Sequence, residues 1–143
     1  MNRLRHAAWL LVAVATFGCR KAAPQFESRP TIPVEGQVLV GGRPAEGVQV
    51  FFHPHDASQR GKPRGVTDAE GRFRLRTYQD GDGAPAGEYA VTVYWPGPDN
   101  PQVPVEDRLP PDRLGERFMS PKDSLLRATV TAGSTTLPPF EIK

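Results

Sequence analysis

Pro85-Ala86-Gly87-Glu88-Tyr89-Ala90-Val91-Thr92-Val93-Tyr94-Trp95 is the stretch that decides the fold. Tyr89, Val91, Val93 and Trp95 recur at every second position, with smaller or more polar residues between most of them. A strand turns successive side chains to opposite faces, so this spacing lays one apolar stripe on one face of a β-strand. A helix would need spacings of three and four. β-branched and aromatic side chains also suit a pleated, half-buried surface.

The same period continues outward from this strand. Val34, Val38 and Val40 share one face, and Gly41 to Gly47 is turn chemistry. Val48, Val50 and Phe52 alternate with Gln49, Phe51 and His53, and a shorter strand fits Pro63 to Thr67. Asp68-Ala69-Glu70-Gly71 turns the chain into Phe73 and Leu75, which alternate with Arg72, Arg74 and Arg76; Asp80 to Gly87 is a loop. Downstream, Arg127 to Ala132 and Thr136 to Ile142 read as a final strand pair joined around Gly133-Ser134. Sixteen Pro and 14 Gly, scattered between the apolar runs, fit many short strands joined by turns. These signals predict an all-β domain over 34–143, a seven-stranded Greek-key sandwich of two sheets, Ig-like in outline. The long loop 96–126, rich in Pro and Asp, interrupts it. Leu114 and Phe118 could pack on the domain edge from a helical turn over Pro111 to Phe118, or the segment could stay irregular.

Upstream of the domain the composition changes. Arg20 to Pro33 carries three prolines and no periodicity, and with Cys19 it reads as a flexible tether (19–33) reaching about 40 Å at roughly 3 Å per residue. Met1 to His6 is basic through Arg3 and Arg5, and Ala7 to Ala15 is a continuous apolar run. That run is shorter than the ~20 residues a membrane-spanning helix needs, so 1–18 reads as a secretory signal. Thr16-Phe17-Gly18-Cys19 resembles a lipobox, with a small residue before the cysteine and Thr16 in place of the usual leucine. The resemblance implies cleavage before Cys19 and lipid on its thiol, which also accounts for the chain's single cysteine. Each buried CH₂ contributes about 0.8 kcal/mol, so two or three acyl chains, such as palmitate, make a lasting membrane anchor. The expected location is the cell envelope, and Arg20 rather than Asp after the cysteine points to the outer membrane where there are two.

Maturation also changes the charge. The whole chain has 18 basic and 16 acidic residues, a formal +2, and Arg3 and Arg5 lie before Cys19. The mature chain is formally neutral, so bulk charge gives no argument for a nucleic-acid partner.

Four stretches together resemble the carboxypeptidase regulatory-like domain, a transthyretin-like (prealbumin-like) sandwich. They are Val34 to Val38, Gly42 to Val50, Thr67 to Leu75 with its Asp-x-x-Gly-x-Phe turn, and Pro85 to Val93. The resemblance implies that fold and a non-catalytic accessory role. The residues agree with it: Gly71 suits a turn position needing positive φ, and Phe73 and Tyr89 sit where core aromatics would fill the sandwich.

Candidate chemistry is sparse. His53 and His55 would share one face of a strand, as metal ligands require, but Asp56 would point away, and a polar strand end is the preferred reading. Asp80-x-Asp82-Gly83 begins like a calcium loop yet lacks the later ligands, so it reads as a turn. One transthyretin-like family hydrolyses 5-hydroxyisourate and ends in Tyr-Arg-Gly-Ser; this chain ends Pro138-Pro139-Phe140-Glu141-Ile142-Lys143. Zinc carboxypeptidases carry the sandwich beside a catalytic domain that does not fit in 143 residues. No catalytic residue, metal or cofactor is therefore expected, and a metal-dependent or hydroxyisourate-hydrolase-like enzyme is the more distant alternative. Arg72, Arg74 and Arg76 form a basic stripe that would meet either an anionic cell-wall polymer or lipid head group, or acids on the neighbouring strand. The expected partners are the membrane through Cys19 and an envelope protein or wall polymer; pairing with an envelope protein through a sheet edge is the alternative role.

Overall fold

The computed structural model describes residues 28–104, 109–133 and 136–143; the expected signal, Cys19 and most of the expected tether lie outside them. The chain is all-β. Ten strands follow in order: β1 (Thr31–Ile32), β2 (Glu35–Val40), β3 (Arg43–Pro44), β4 (Gln49–Pro54), β5 (Arg64–Val66), β6 (Arg72–Arg74), β7 (Ala84–Pro85), β8 (Gly87–Tyr94), β9 (Arg127–Val130) and β10 (Phe140–Ile142).

They form three sheets. One has the order β5-β4-β8-β9, all antiparallel, with Phe52 opposite Val91 and Val50 opposite Val93. In the second, β2 is central: β10 runs parallel on one side, and β3 and β6 follow one another along the other. The third is the small β1–β7 ribbon. The two larger sheets are joined along one edge, where Arg64 and Arg76 exchange backbone hydrogen bonds of 3.0 and 2.9 Å and Asp68 N–H donates to Arg72 O at 2.8 Å.

The alternating apolar residues line the space between these sheets. Val38, Val48, Val50, Phe52, Tyr89, Val91 and Val93 are fully buried, each such burial stabilising by roughly 1.5–3 kcal/mol. Phe52 bridges the layers, its ring 6.4 Å from Phe73, 5.5 Å from Tyr89 and 6.3 Å from Phe140. Gly71 has φ of 68°, and a Cβ there would stand 2.6 Å from Val38 O, so the turn before Phe73 is closed to other residues.

Three expectations are corrected. Arg127 to Ala132 and Thr136 to Ile142 are not a pair: β9 lies on β8, while β10 lies parallel to β2 in the other layer. Pro138 and Pro139 supply no N–H to a hairpin ladder, and crossing over buries Phe140 and Ile142 in the core. The ordered fold also begins before Val34, because Thr31 and Ile32 pair with Pro85 and Ala84. Gly83 allows this approach; a Cβ on it would overlap Ile32 O at 1.8 Å. Third, the β1–β7 ribbon adds a sheet to the two expected, and the two-residue β3 adds a strand beside β2.

The long loop runs as turns rather than a helix over residues 113–118, with Leu114 and Phe118 packed against the core. It continues along the same edge of β8 that β9 occupies further back. Val91 N–H donates to Leu126 O, Val93 N–H to Phe118 O and Arg113 N–H to Trp95 O, at 2.8 to 3.1 Å. This covers an edge that would otherwise present bare peptide groups.

Candidate functional site

The exterior of the β5–β6 junction gathers six exposed basic side chains, Arg60, Lys62, Arg64, Arg72, Arg74 and Arg76. Along β5 and its approach, Arg60, Lys62, Arg64 and Val66 are exposed, while Pro63 between them is buried. On β6 and its continuation, Arg72, Arg74 and Arg76 are exposed, and Phe73 and Leu75 point into the core. Arg64 and Arg76 stand directly opposite each other, so the two rows lie side by side on one outer face.

Like charges opposite one another repel, and two acids relieve part of this. Arg74 Nε lies 2.8 Å from Glu35, its cross-strand partner on β2, and Arg76 lies 2.9 Å from Asp80. Such exposed pairs contribute about 0–1 kcal/mol each. Lys62, Arg64 and Arg72 have no ion-pair partner among the described residues. The face is shallow rather than walled. An open cleft of about 740 Å³ lies between Glu35, Gln37, Asp68, Arg72 and Arg74, and a second passes Phe51, Arg64 and Asp80; Val66 and Arg74 line both. Val66, 61% exposed, is an apolar point within the charge.

The other candidate groups are engaged elsewhere. His53 Nε2 hydrogen-bonds Thr92 Oγ1 at 2.8 Å across the β4–β8 ladder. Burial, with Lys62 nearby, holds its pKa below the usual histidine value of 6.5. His55 lies past the end of β4, its Nδ1 3.9 Å from Glu88, and Asp56 binds Arg29 and Ser58. The trio is not brought together, and among the described residues no three His, Cys, Asp or Glu are placed to hold a metal ion.

Asp82 caps its own loop, accepting backbone N–H bonds from Thr77, Tyr78 and Gln79 at 2.6, 2.9 and 3.1 Å. Burial would raise its pKa, but these donors outweigh it and hold the carboxyl below the ordinary range. Tyr89 OH donates to Pro85 O at 2.7 Å and accepts from Gln59 Nε2 at 2.6 Å, and burial raises its pKa.

Arg72, Arg74 and Arg76 are exposed on one outer face. Sequence reasoning missed Arg60, Lys62 and Arg64 beside them. The signal was present, a basic residue at every second position leading into Val66.

No protein-family model matches the chain, and no curated protein matches it. Among solved structures, a 9R-lipoxygenase from Cyanothece PCC8801 aligns with a TM-score of 0.44 at 16% identity. The alignment covers 79% of this chain but 16% of that enzyme, so the chain spans under a fifth of its length.

Proposed function

We propose that the chain is a non-catalytic binding and structural module, held at the cell envelope by lipid on Cys19 and meeting an anionic envelope component through Arg72, Arg74 and Arg76. The observation that carries this reading is the outer β5–β6 face, where these arginines join Arg60, Lys62 and Arg64 and acids pair with Arg74 and Arg76. Arginine suits such a role because its planar fork binds carboxylate and phosphate oxygens in pairs. In fold we read a transthyretin-like Greek-key sandwich of the carboxypeptidase regulatory-like kind. Two four-stranded layers around Phe52, Phe73 and Tyr89 and the tight Asp68–Gly71 turn support that reading.

Isolated envelope fractions test the role. The intact protein should be retained on them in a salt-sensitive way, and Arg72→Glu should weaken retention about fivefold or more. Retention indifferent to both would refute the ligand face. Mass spectrometry of the mature N-terminus tests the anchor, with an acylated Cys19 expected and an unmodified thiol against it.

A second reading, an assembly subunit pairing through a sheet edge, has its own support. β9 pairs only with β8, and β10 only with β2, among the described strands. The cleft between them is flanked by Leu125, 90% exposed. Under that reading a defined protein co-purifies after detergent extraction, and Arg72→Glu leaves the complex intact.

A further inference from the structure

The described chain begins beside the cationic face. Arg29 N–H donates to Tyr78 OH at 3.3 Å, and that hydroxyl donates to Arg60 O at 3.3 Å. Ser28, Lys62 and Tyr78 line one depression there. Cys19 lies only nine positions before Ser28, and a chain of that length reaches at most about 30 Å.

We infer that the β5–β6 face docks onto anionic phospholipid head groups of the same membrane that holds Cys19. This rests on the lipid-anchor reading above and names the partner of the arginine face.

Three features point to lipid. Lys62, Arg64 and Arg72, without ion-pair partners among the described residues, offer charge to phosphate oxygens. Val66 and Tyr78, 61% and 44% exposed, stand among the cations; apolar and aromatic side chains mixed with Lys and Arg are the composition that settles at a head-group boundary. The third feature is position: an anchor within about 30 Å of the face keeps it at a high effective concentration near the bilayer, so a weak contact suffices. A wall polymer gains nothing from that placement. β5 and β9 are opposite edges of one sheet, so docking through β5 turns the β9 edge away from the bilayer.

The experiment uses the mature, lipidated protein in vesicles. With Cys19 acylated, Val66→Cys carries the single free thiol for an environment-sensitive fluorophore, and Leu125→Cys beside β9 is the control. In phosphatidylcholine vesicles holding about a third phosphatidylglycerol, the Val66→Cys label should shift to the blue and be quenched by spin-labelled lipid. In phosphatidylcholine alone it should stay in water, and the Leu125→Cys label should do so in both. A basic side chain at an anionic surface is worth about a fivefold change in occupancy. Arg64→Glu with Arg72→Glu should therefore lower the docked-to-free ratio by about 25-fold or more, and high salt should act in the same direction. A Val66→Cys label that responds alike in both vesicles, or no more than the Leu125→Cys label, overturns the docking while an acylated Cys19 upholds the anchor. Retention on isolated wall polymer without any vesicle response likewise overturns it. An unmodified Cys19 overturns both readings.

Discussion

Gly36 sits opposite Phe73 in the β2–β6 ladder, and the phenyl ring lies over its backbone. A Cβ on Gly36 would meet the ring at 2.4 Å, so Gly36→Ala must displace Phe73 from its contacts with Phe52 and Phe140. Denaturant titration should show a loss of about 1–3 kcal/mol, the usual cost of overpacking. A second residue-scale effect concerns pH. Burial and Lys62 hold the folded-state pKa of His53 below 6.5, so folding favours the neutral ring. That contribution is fully present above pH 6.5 and is lost as pH falls through the folded value. The unfolding midpoint should decline below pH 6.5, and His53→Gln, which can keep a bond to Thr92, should flatten the decline. A slope unchanged in the variant would assign the effect elsewhere. Asp82 acts in a separate window: its lowered pKa gives stability that persists above 3.8 and disappears only in stronger acid. The alternation that buries Phe73 was legible in the sequence. Its seat over Gly36 was not, because the two meet only through a pairing 37 residues apart in the chain.

Between residues 96 and 126 the element scale departs furthest from local pattern. Pro and Asp make this segment look irregular, yet its described residues close the edge of β8 and of the chain just beyond it, from Val91 to Gly97. Asp112 holds it there. Its Oδ1 accepts from Trp95 N–H at 2.9 Å and Leu114 N–H at 3.2 Å, and its Oδ2 accepts from Glu116 N–H at 2.8 Å. Arg113 stacks its guanidinium 3.7 Å from the Trp95 ring, whose Nε1 donates to Glu46 O. Asp112→Ala should cost about 1–3 kcal/mol by leaving these donors unpaired. Hydrogen exchange should quicken over residues 109–126 and in Trp95, with β4 protected as before. Uniform quickening throughout would mean the loop and sheets unfold as one unit. Strand positions were legible because period-2 burial is local; the role of the loop was not, because its partner is the edge of a strand already read as complete.

At the scale of the whole molecule, what decides the architecture is which strand joins which layer. β9 and β10 are consecutive yet lie in different sheets, and β5 and β6 stitch those sheets together on another side. No local signal carries either fact, and the same gap hid half of the candidate site: Arg72, Arg74 and Arg76 were visible as one stripe, but only the Arg64–Arg76 pairing brings Arg60, Lys62 and Arg64 beside them. The sheet switch has a testable consequence. Phe140 on β10 stacks on Phe73 at 6.1 Å with rings 6° from parallel, and meets Phe52 of the opposite layer edge-on at 6.3 Å. Were Phe140 outside the space between the layers, truncating it would cost little more than changing an exposed side chain. Because it closes the space between the layers, Phe140→Ala should cost about 3–5 kcal/mol, a large share of the total for a domain this size. Leu125→Ala, on a side chain 90% exposed, should stay within about 0.5 kcal/mol. Urea unfolding of both variants decides it: the Phe140→Ala midpoint should fall with the slope unchanged, since the surface exposed on unfolding is nearly the same. Equal midpoints in the two variants would place β10 outside the core.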